Sequence, residues 1–529
     1  MAARFSRSRS RRSSSRSAND SLQKPRGVIH ARVQEVGPEH FGIVCVDCGK
    51  AASKWLLADF YGKVMVPPTP VSHNRVELDA MTGRVRLACQ EHDLRDVLVA
   101  IERTGRYHHA VRDAFRRQQF ETRIVHPYIS KRFRQVADPD EKDDDKDLAA
   151  IHRATTTGFA LIEPPWDLGW QTLQLLARHR RDLVHKTSLL ACQIHEHLDA
   201  VWPGYGALFC SLWESSIAFP LLRQFSSPQA LLDAGGSGIA ACLREQKIHF
   251  KRDTITTVLS WAKQAAPGEA TAQVHRRLAL AGFADYERKT QEILVLEREL
   301  AHYLCQTPYV LLLSIPGINV VWAAEFAGEM GPIEHYLNAR CITGRAGLFP
   351  CRYQSSQVDH PNGQLARHAN RRLRAVLLGI ADTLIGCNRH FSVLAAHWRA
   401  LGKDPRHSHV KIALRFARIA FSMVAGRQVF RHPGLRERHT ILDKLLAFHR
   451  EHETPWKEIM VDLHRAARQV PRKEYPAEAK PLAQQLHDFN RPHPGPRGPQ
   501  LLGDILAEVL ARLGVGAVES KEPGEFNPT

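Results

Sequence analysis

The chain has 529 residues, more than one ordinary hydrophobic core can use, so two to four domains are expected. Its 73 Lys and Arg outnumber its 55 Asp and Glu, and the net charge of +18 points to a polyanionic partner, most directly nucleic acid. No apolar run is long enough to span a bilayer as a helix, and the Arg/Ser-rich start lacks the apolar segment of a secretory signal, so neither a membrane nor a secreted protein is expected.

The basic excess is uneven. Residues 1–32 hold nine Lys/Arg against one acid, Asp20, which leaves +10 for the rest. Residues 1–39 read as a disordered basic arm. From about residue 40 an α/β pattern begins. "HFGIVCVDC" is an apolar strand that reaches Asp47, and "KWLLADFYGKVMVP" gives two more strands around a Tyr-Gly turn. "DVLVAIE" is a buried strand ending at Glu102, "RYHHAVRDAFRRQQ" has helical spacing, and "ETRIVHP" returns to strand. Cys45 and Cys48, with Cys89 and His92 downstream, have zinc-ligand spacing, but strand alternation sends the first two to opposite faces, so zinc is not expected. Ten cysteines in so long a chain fit a reducing cytoplasm better than a disulfide scaffold.

"EKDDDKDLAAIHRA", 141–154, packs Asp143, Asp144, Asp145 and Asp147 into five positions. Such a run is commonly a solvated helix start. As a helix beginning near 143, however, it puts Asp144 and Asp147 on one face and turns Asp143 and Asp145 elsewhere. With Asp47 and Glu102 at strand ends, this makes four hard oxygen ligands, the number one or two Mg²⁺ or Mn²⁺ ions require. Asp47 read singly is an ordinary strand-end acid, and Glu102 could equally start a helix.

From about 163 the pattern changes to long helices. "LGWQTLQLLARHRRDLVHKTSLLACQIHEHLDAVW" and "ADYERKTQEILVLERELAHYL" suggest an antiparallel coiled coil with a helical insert over 163–305. Residues 306–434 form a third domain, in which "SIPGI" reads as the turn of a helix-hairpin-helix element. "GRAGLFPCRYQSSQ" is a polar loop, followed by a helix capped by Asn370. Residues 435–529 read as an extension with a charged helix, a Pro-rich linker and a last amphipathic helix.

"GIVCVDCGK", "IERTGRYHHAV", "HPYISKRF" and "KDDDKDLAAI", then "SIPGI", "AGLFPCRYQSS" and "ARHANRRLR", resemble successive blocks of the DEDD insertion-sequence transposases, also called bridge recombinases. The likeness runs from about 40 to 430. Cys48-Gly49, Asp143, Leu148, Ser356 and Ala369 depart from the family pattern without removing a carboxylate. The resemblance implies a RuvC-like (RNase H-like) domain over 40–162, with Asp47, Glu102, Asp144 and Asp147 as ligands of Mg²⁺ or Mn²⁺. It implies a mostly α-helical transposase domain with Ser355 as nucleophile. It also implies donor and target DNA, a non-coding bridge RNA, and a dimer or tetramer with an active site composed across subunits. Arg352, Arg367, Arg371 and Arg374 surround the serine in sequence and would hold phosphate, with Arg371 and Arg374 on one helix face. By local chemistry Ser356, Tyr353 and Cys351 remain rival nucleophiles. A nuclease that uses water, and a non-catalytic nucleic-acid-binding protein, are the other function classes the composition allows.

Overall fold

The computed structural model describes residues 27–471 apart from 138, 142, 352, 356–357, 361–362 and 431–440, and gives the backbone alone for 353–355 and 358–360. The chain divides between Pro165 and Trp166 into two compact units.

The first unit is a sheet covered on both faces. In chain order it holds α1 (His30–Val36), β1 (Phe41–Cys48), β2 (Ala52–Asp59), β3 (Val64–Ser72), α2 (Arg75–Glu91), β4 (Asp96–Glu102), α3 (His108–Arg117), β5 (Glu121–Val125), α4 (Pro127–Ala137), α5 (Asp144–Thr156) and β6 (Leu161–Ile162). The strand order is β3-β2-β1-β4-β5-β6. The first three strands are antiparallel neighbours, and β1, β4 and β5 run parallel.

Strand alternation sorts two cores. Val44, Val46 and Cys48 of β1 pack with Val99 and Ile101 of β4 against Val85 of α2 and Phe115 of α3. Phe41, Ile43 and Cys45 pack with Leu98 and Ala100 on the other face, against Leu148 and Ile151 of α5. Cys45 and Cys48 therefore do face opposite sides. Helix α2 was not anticipated, although Leu78, Met81, Val85 and Ala88 are buried at helical spacing.

The expected basic arm is too long by about one helix. Ile29 and Val33 are buried in the α5-side core. Arg32 bonds both oxygens of Asp96 at 2.7 and 2.8 Å, and Glu121 at 2.8 Å. Charge counting missed this because Arg32 serves the starts of β4 and β5 and not a polyanion.

The second unit is helical. Two long helices, α6 (Leu168–Val201) and α10 (Ala272–Leu304), pack along each other. Between them in sequence lie α7 (Ala218–Gln224), α8 (Pro228–Glu245) and α9 (Arg252–Gln264), which form a core with Trp202, Tyr205, Leu221, Leu231 and Val258. A larger core gathers Leu300 and Leu304 of α10, a 3-10 helix over Pro308–Ser314, and the remaining helices. These are α11 (Val320–Met330), α12 (Ala339–Ala346), α13 (Arg371–Cys387), α14 (Arg389–Ala400), α15 (Pro405–Ala425), α16 (Ile441–Glu451) and α17 (Trp456–Gln469). A two-stranded ribbon, β7 (Tyr353–Ser355) and β8 (Val358–His360), interrupts the path from α12 to α13.

Three expectations need correcting here. No core boundary falls at 305, since Leu300 and Leu304 pack with Tyr309 and Leu311. Residues 441–470 are not an extension, because Leu445 of α16 and Leu463 of α17 are wholly buried in the same core. The "SIPGI" turn is preceded by a 3-10 helix, so the element is not a regular helix-hairpin-helix. Its carbonyls are held from within: Lys444 Nζ donates to Ile315 O and Ile318 O at 2.9 Å each, and Asn388 Nδ2 donates to Pro316 O at 2.9 Å. Burial pushes the Lys444 ammonium down to about 8. The arm up to 26, the Pro-rich linker and the last amphipathic helix lie outside the described residues.

Removing residues 1–39 is expected to lower the unfolding free energy by about 3 kcal/mol or more, from lost burial of Ile29 and Val33 alone. Removing residues 1–26 keeps Ile29 and Val33 in place and should lower the denaturant midpoint less than removing 1–39 does. Urea titration of the two truncations checks this.

Candidate active site

Parallel pairing of β1 with β4 runs from Phe41 opposite Asp96 to Val46 opposite Ile101. The next residues on the two strands are Asp47 and Glu102. Adjacent strands lie about 4.8 Å apart, so the two acids leave the sheet side by side. Alternation puts both on the face that α5 covers. Both are half-buried. Their charges also bear on the Cys48 thiol, which burial, above all, pushes up to about 12.

The acidic run starts α5 on that same face. Asp143 is the N-cap, and its side chain accepts the Asp145 N–H at 3.3 Å. Asp144, Asp145 and Asp147 occupy the first turn, where the helix dipole favours negative charge. Lys54 of β2 lies directly opposite Asp47 in the antiparallel pair. Its Nζ reaches Asp145 Oδ1 at 2.6 Å, and this bond, followed by the charges of Asp145, Asp143 and Asp144, raises the lysine above its ordinary range. Asp145 was expected to point away from the site, yet it is the acid that Lys54 draws toward the strand ends. Asp147 pairs with Arg134 of α4, Nε to Oδ1 2.7 Å, while Arg134 Nη1 donates to Glu141 O at 2.9 Å. Asp144 is exposed.

Asp47 and Glu102 are thus neighbours, and Asp144 and Asp147 start the helix that packs on the same side of the sheet. Their carboxylate oxygens suit a hard divalent cation. Among the described residues no three such groups close around one point. Lys54 and Arg134 supply the positive charge at this end, and a divalent ion would compete with them for Asp145 and Asp147. Neither cation was singled out from the sequence. A signal for Lys54 was present: it is the one charged residue between Ala52 and Ala58, on the alternation of the buried Leu56 and Ala58.

The second set of expected residues lies between α12 and α13. Ser355 is the last residue of β7 and pairs with Val358. Nearer the base, the Cys351 N–H donates to Gln364 O at 2.8 Å, and the Ala366 N–H to Phe349 O at 3.2 Å. Gly363 is required there, since a Cβ would lie 2.3 Å from Cys351 O. Arg352 and Ser356 lie outside the described residues, and only the backbone of Tyr353 and Ser355 is described. Cys351 is exposed. Arg371 is exposed, as is Arg367, which donates to Gln364 Oε1 at 2.9 Å.

Arg374 departs from its expected role. It does not share an outward face with Arg371. Its Nε donates to Ala346 O at 2.8 Å, and its Nη2 bonds Ala366 O. The last carbonyls of α12 have no helical partner, and a guanidinium satisfies one of them. Asn370 caps α13 as expected, accepting the Leu373 N–H at 3.0 Å, and its Nδ2 also donates to Glu329 at 2.9 Å.

A transposase model of the DEDD IS110 type matches residues 44–203, and a second, described as the transposase family of IS116, IS110 and IS902, matches 309–395. Two segments of the chain thus match models of the IS110-type DEDD transposases. It is 29% identical over 230 residues to an uncharacterized 42 kDa protein of insertion element IS900 from Mycobacterium paratuberculosis, covering 42% of this chain and 55% of that one. It is 27% identical over 292 residues to an uncharacterized 44.8 kDa protein of IS116 from Streptomyces clavuligerus, covering 51% and 68%. A transposase for IS1328 from Yersinia enterocolitica is 28% identical over 144 residues, covering 26% and 43%. The match thus spans about half the length of the first of these relatives. Both family segments contain the clusters just described: Asp47, Glu102 and the start of α5 in one, Ser355 and the start of α13 in the other.

Close behind Glu102, His108 opens α3 with 1% exposure, and neither ring nitrogen has a hydrogen-bond partner among the described residues. Burial, then the charges of His109 and Arg103, lowers it to about 4. A histidine depressed in the fold binds its proton more readily unfolded, so stability is expected to fall as pH drops from about 6.5 towards 4. His108→Leu should flatten that slope by about 2 kcal/mol between pH 7 and pH 5, measured by urea unfolding at the two pH values.

Proposed function

We propose that this chain is a divalent-metal-dependent DNA transposase that mobilises an insertion sequence by strand cleavage and exchange through a phosphoserine intermediate. The observation that carries the reading is the register of β1 and β4, which sets Asp47 beside Glu102 on the face where α5 begins. A sheet of order β3-β2-β1-β4-β5, with an antiparallel first half and a parallel second half, supports an RNase H-like (RuvC-like) domain for that unit. Asp47, Glu102, Asp144 and Asp147 would hold Mg²⁺ or Mn²⁺. A metal bound there would polarise a phosphodiester and stabilise the leaving oxygen.

Ser355 acts on the backbone of donor and target DNA. Its Oγ attacks phosphorus, a deoxyribose oxygen leaves with the proton, and a protein–DNA phosphodiester replaces the broken one. Attack on that link by a second strand's hydroxyl restores the serine, so exchange needs no high-energy cofactor. Arg367 and Arg371, both exposed near the serine ribbon, are the candidates for phosphate contacts. The packed pair α6 and α10 supports a coiled-coil arm through which protomers would join. The body's +10, distributed beyond the first 32 residues, suits both DNA and a bridge RNA, and the protein would work in the cytoplasm at the nucleoid. No helix among the described residues is long and apolar enough to cross a membrane.

Product analysis tests this. With Mg²⁺ or Mn²⁺, denatured reactions should contain a covalent protein–DNA adduct. Asp144→Asn and Asp147→Asn should each reduce cleavage roughly 100-fold or more, through lost metal ligation. Asp143→Asn should be tolerated, because Asn caps a helix as well as Asp does. Free cut ends with no adduct would replace the serine with water as nucleophile, and intact DNA would remove the catalytic reading altogether.

A further inference from the structure

The loop that carries Ser355 leaves the second unit at the end of α12 and returns just before α13. Its first residue, Gly347, is the C-cap of α12, with φ +65°. Gly347 N–H donates to Gly344 O and Leu348 N–H to Thr343 O, both at 3.0 Å, which closes the helix end. Ala346 ends α12 just before the loop, and Ala366 lies on its returning side. One side chain touches both. Arg374, in the first turn of α13, donates from Nε to Ala346 O at 2.8 Å and from Nη2 to Ala366 O. Asn370 adds a backbone bond to the same base, donating its N–H to Arg345 O at 2.8 Å.

The site is shaped for a guanidinium. A Cβ on Gly347 would lie 2.4 Å from Arg374 Nη2, so only glycine leaves room for it. Two carbonyls that face different nitrogens of one rigid fork suit arginine better than lysine. The anchor is itself fixed. Asn370 Nδ2 donates to Glu329 Oε2 at 2.9 Å, and Glu329 accepts two bonds from Arg178, at 2.6 and 3.0 Å. Burial opposes ionisation of Glu329, but Arg178, then Asn370, outweigh it and hold the carboxyl below its ordinary value.

We infer that Arg374 is a positioning residue for Ser355: by clamping Ala346 O to Ala366 O it fixes the base of the ribbon whose last β7 residue is the serine. The clamp sets the aim of the ribbon and makes no contact with DNA. This rests on the reading of Ser355 as nucleophile. A side chain that only aims another is felt in the rate of the covalent step and not in DNA affinity, because a displacement of about 1 Å in an attacking atom costs up to roughly 100-fold.

The test uses the full chain with Mn²⁺ and double-stranded DNA. In Arg374→Ala, the amides of Cys351 and Ala366 should exchange with deuterium faster, while α11 and α15 keep wild-type protection. Single-turnover formation of the Ser355–DNA adduct at saturating DNA should slow by about tenfold or more. The DNA dissociation constant should stay within about twofold. Arg374→Lys, which keeps the charge but cannot span both carbonyls, should fall between the two and carries the same readouts if the alanine variant does not fold. Unchanged exchange in 349–366, or a wild-type adduct rate despite faster exchange, overturns the inference. Global unfolding of both variants also overturns it, making Arg374 a stability residue. If the wild-type protein forms no Ser355 adduct, the serine reading fails by itself, while the exchange measurement still decides whether the clamp exists.

Discussion

Parallel pairing of β1 with β4 is the constraint on which the first unit depends. Side chains on a strand alternate, so one step of slippage would send Asp47 and Glu102 to different faces and would also bring the buried Val44 and Val46 out of step with Val99 and Ile101. The core therefore holds the acids in register. Two apolar faces, each closed by helices, leave the strand ends as the place where charge can collect. Helix α5 then adds its own acids there, because Leu148, Ile151 and Ala154 bury the helix on the same face. The proposed metal site is the polar rim of a core that would be laid down in this way regardless of chemistry.

The helical unit is organised by buried charge as well as by apolar packing. Arg180 links Glu297 of α10 at 2.8 Å to Glu325 of α11 at 3.0 Å, and His452 beyond α16 meets the other Glu297 oxygen at 2.7 Å. Arg181 reaches the remaining oxygen of Glu325 at 3.3 Å. Burial raises the Glu325 carboxyl against the pull of Arg181 and Arg180, whereas hydrogen bonds from His452 and Arg180 outweigh burial at Glu297. Such pairs add little net stability over apolar residues of the same size, but breaking one leaves an uncompensated charge. They make the arrangement of α6, α10 and α11 strict. Through Glu329 and Asn370 that strictness extends to the first turn of α13, and so to the base of the serine ribbon.

Much of the first unit was legible in the sequence because period-two alternation and strand-end acids are local signals. Strands β1, β2, β3, β4 and β5 and helices α3 and α5 follow from them. Less legible were features decided by distant partners. Arg32 looked like one more charge in a basic arm, yet Asp96 and Glu121 claim it. Arg374 looked like a partner of Arg371 because helical spacing says nothing about a carbonyl on another helix. Lys444 sat in what read as an extension, and only the fold brings it to Ile315 and Ile318. The candidate carboxylates could be named from sequence, and the alternation of β2 marked Lys54, but the pairing of Lys54 with Asp145 and of Arg134 with Asp147 could not be read there, since it depends on β2 and α4 lying beside α5.

The central claim is that carboxylates from two strands and one helix of the first unit form a divalent-metal site. The most direct measurement is Mn²⁺ binding followed by electron paramagnetic resonance, on the full chain and without DNA. The wild-type protein should bind Mn²⁺ and broaden or remove the signal of the free aquo ion, and Asp47→Asn, Glu102→Gln, Asp144→Asn and Asp147→Asn should each weaken that binding while Asp143→Asn does not. Equal Mn²⁺ binding by the wild type and all four variants would contradict the account.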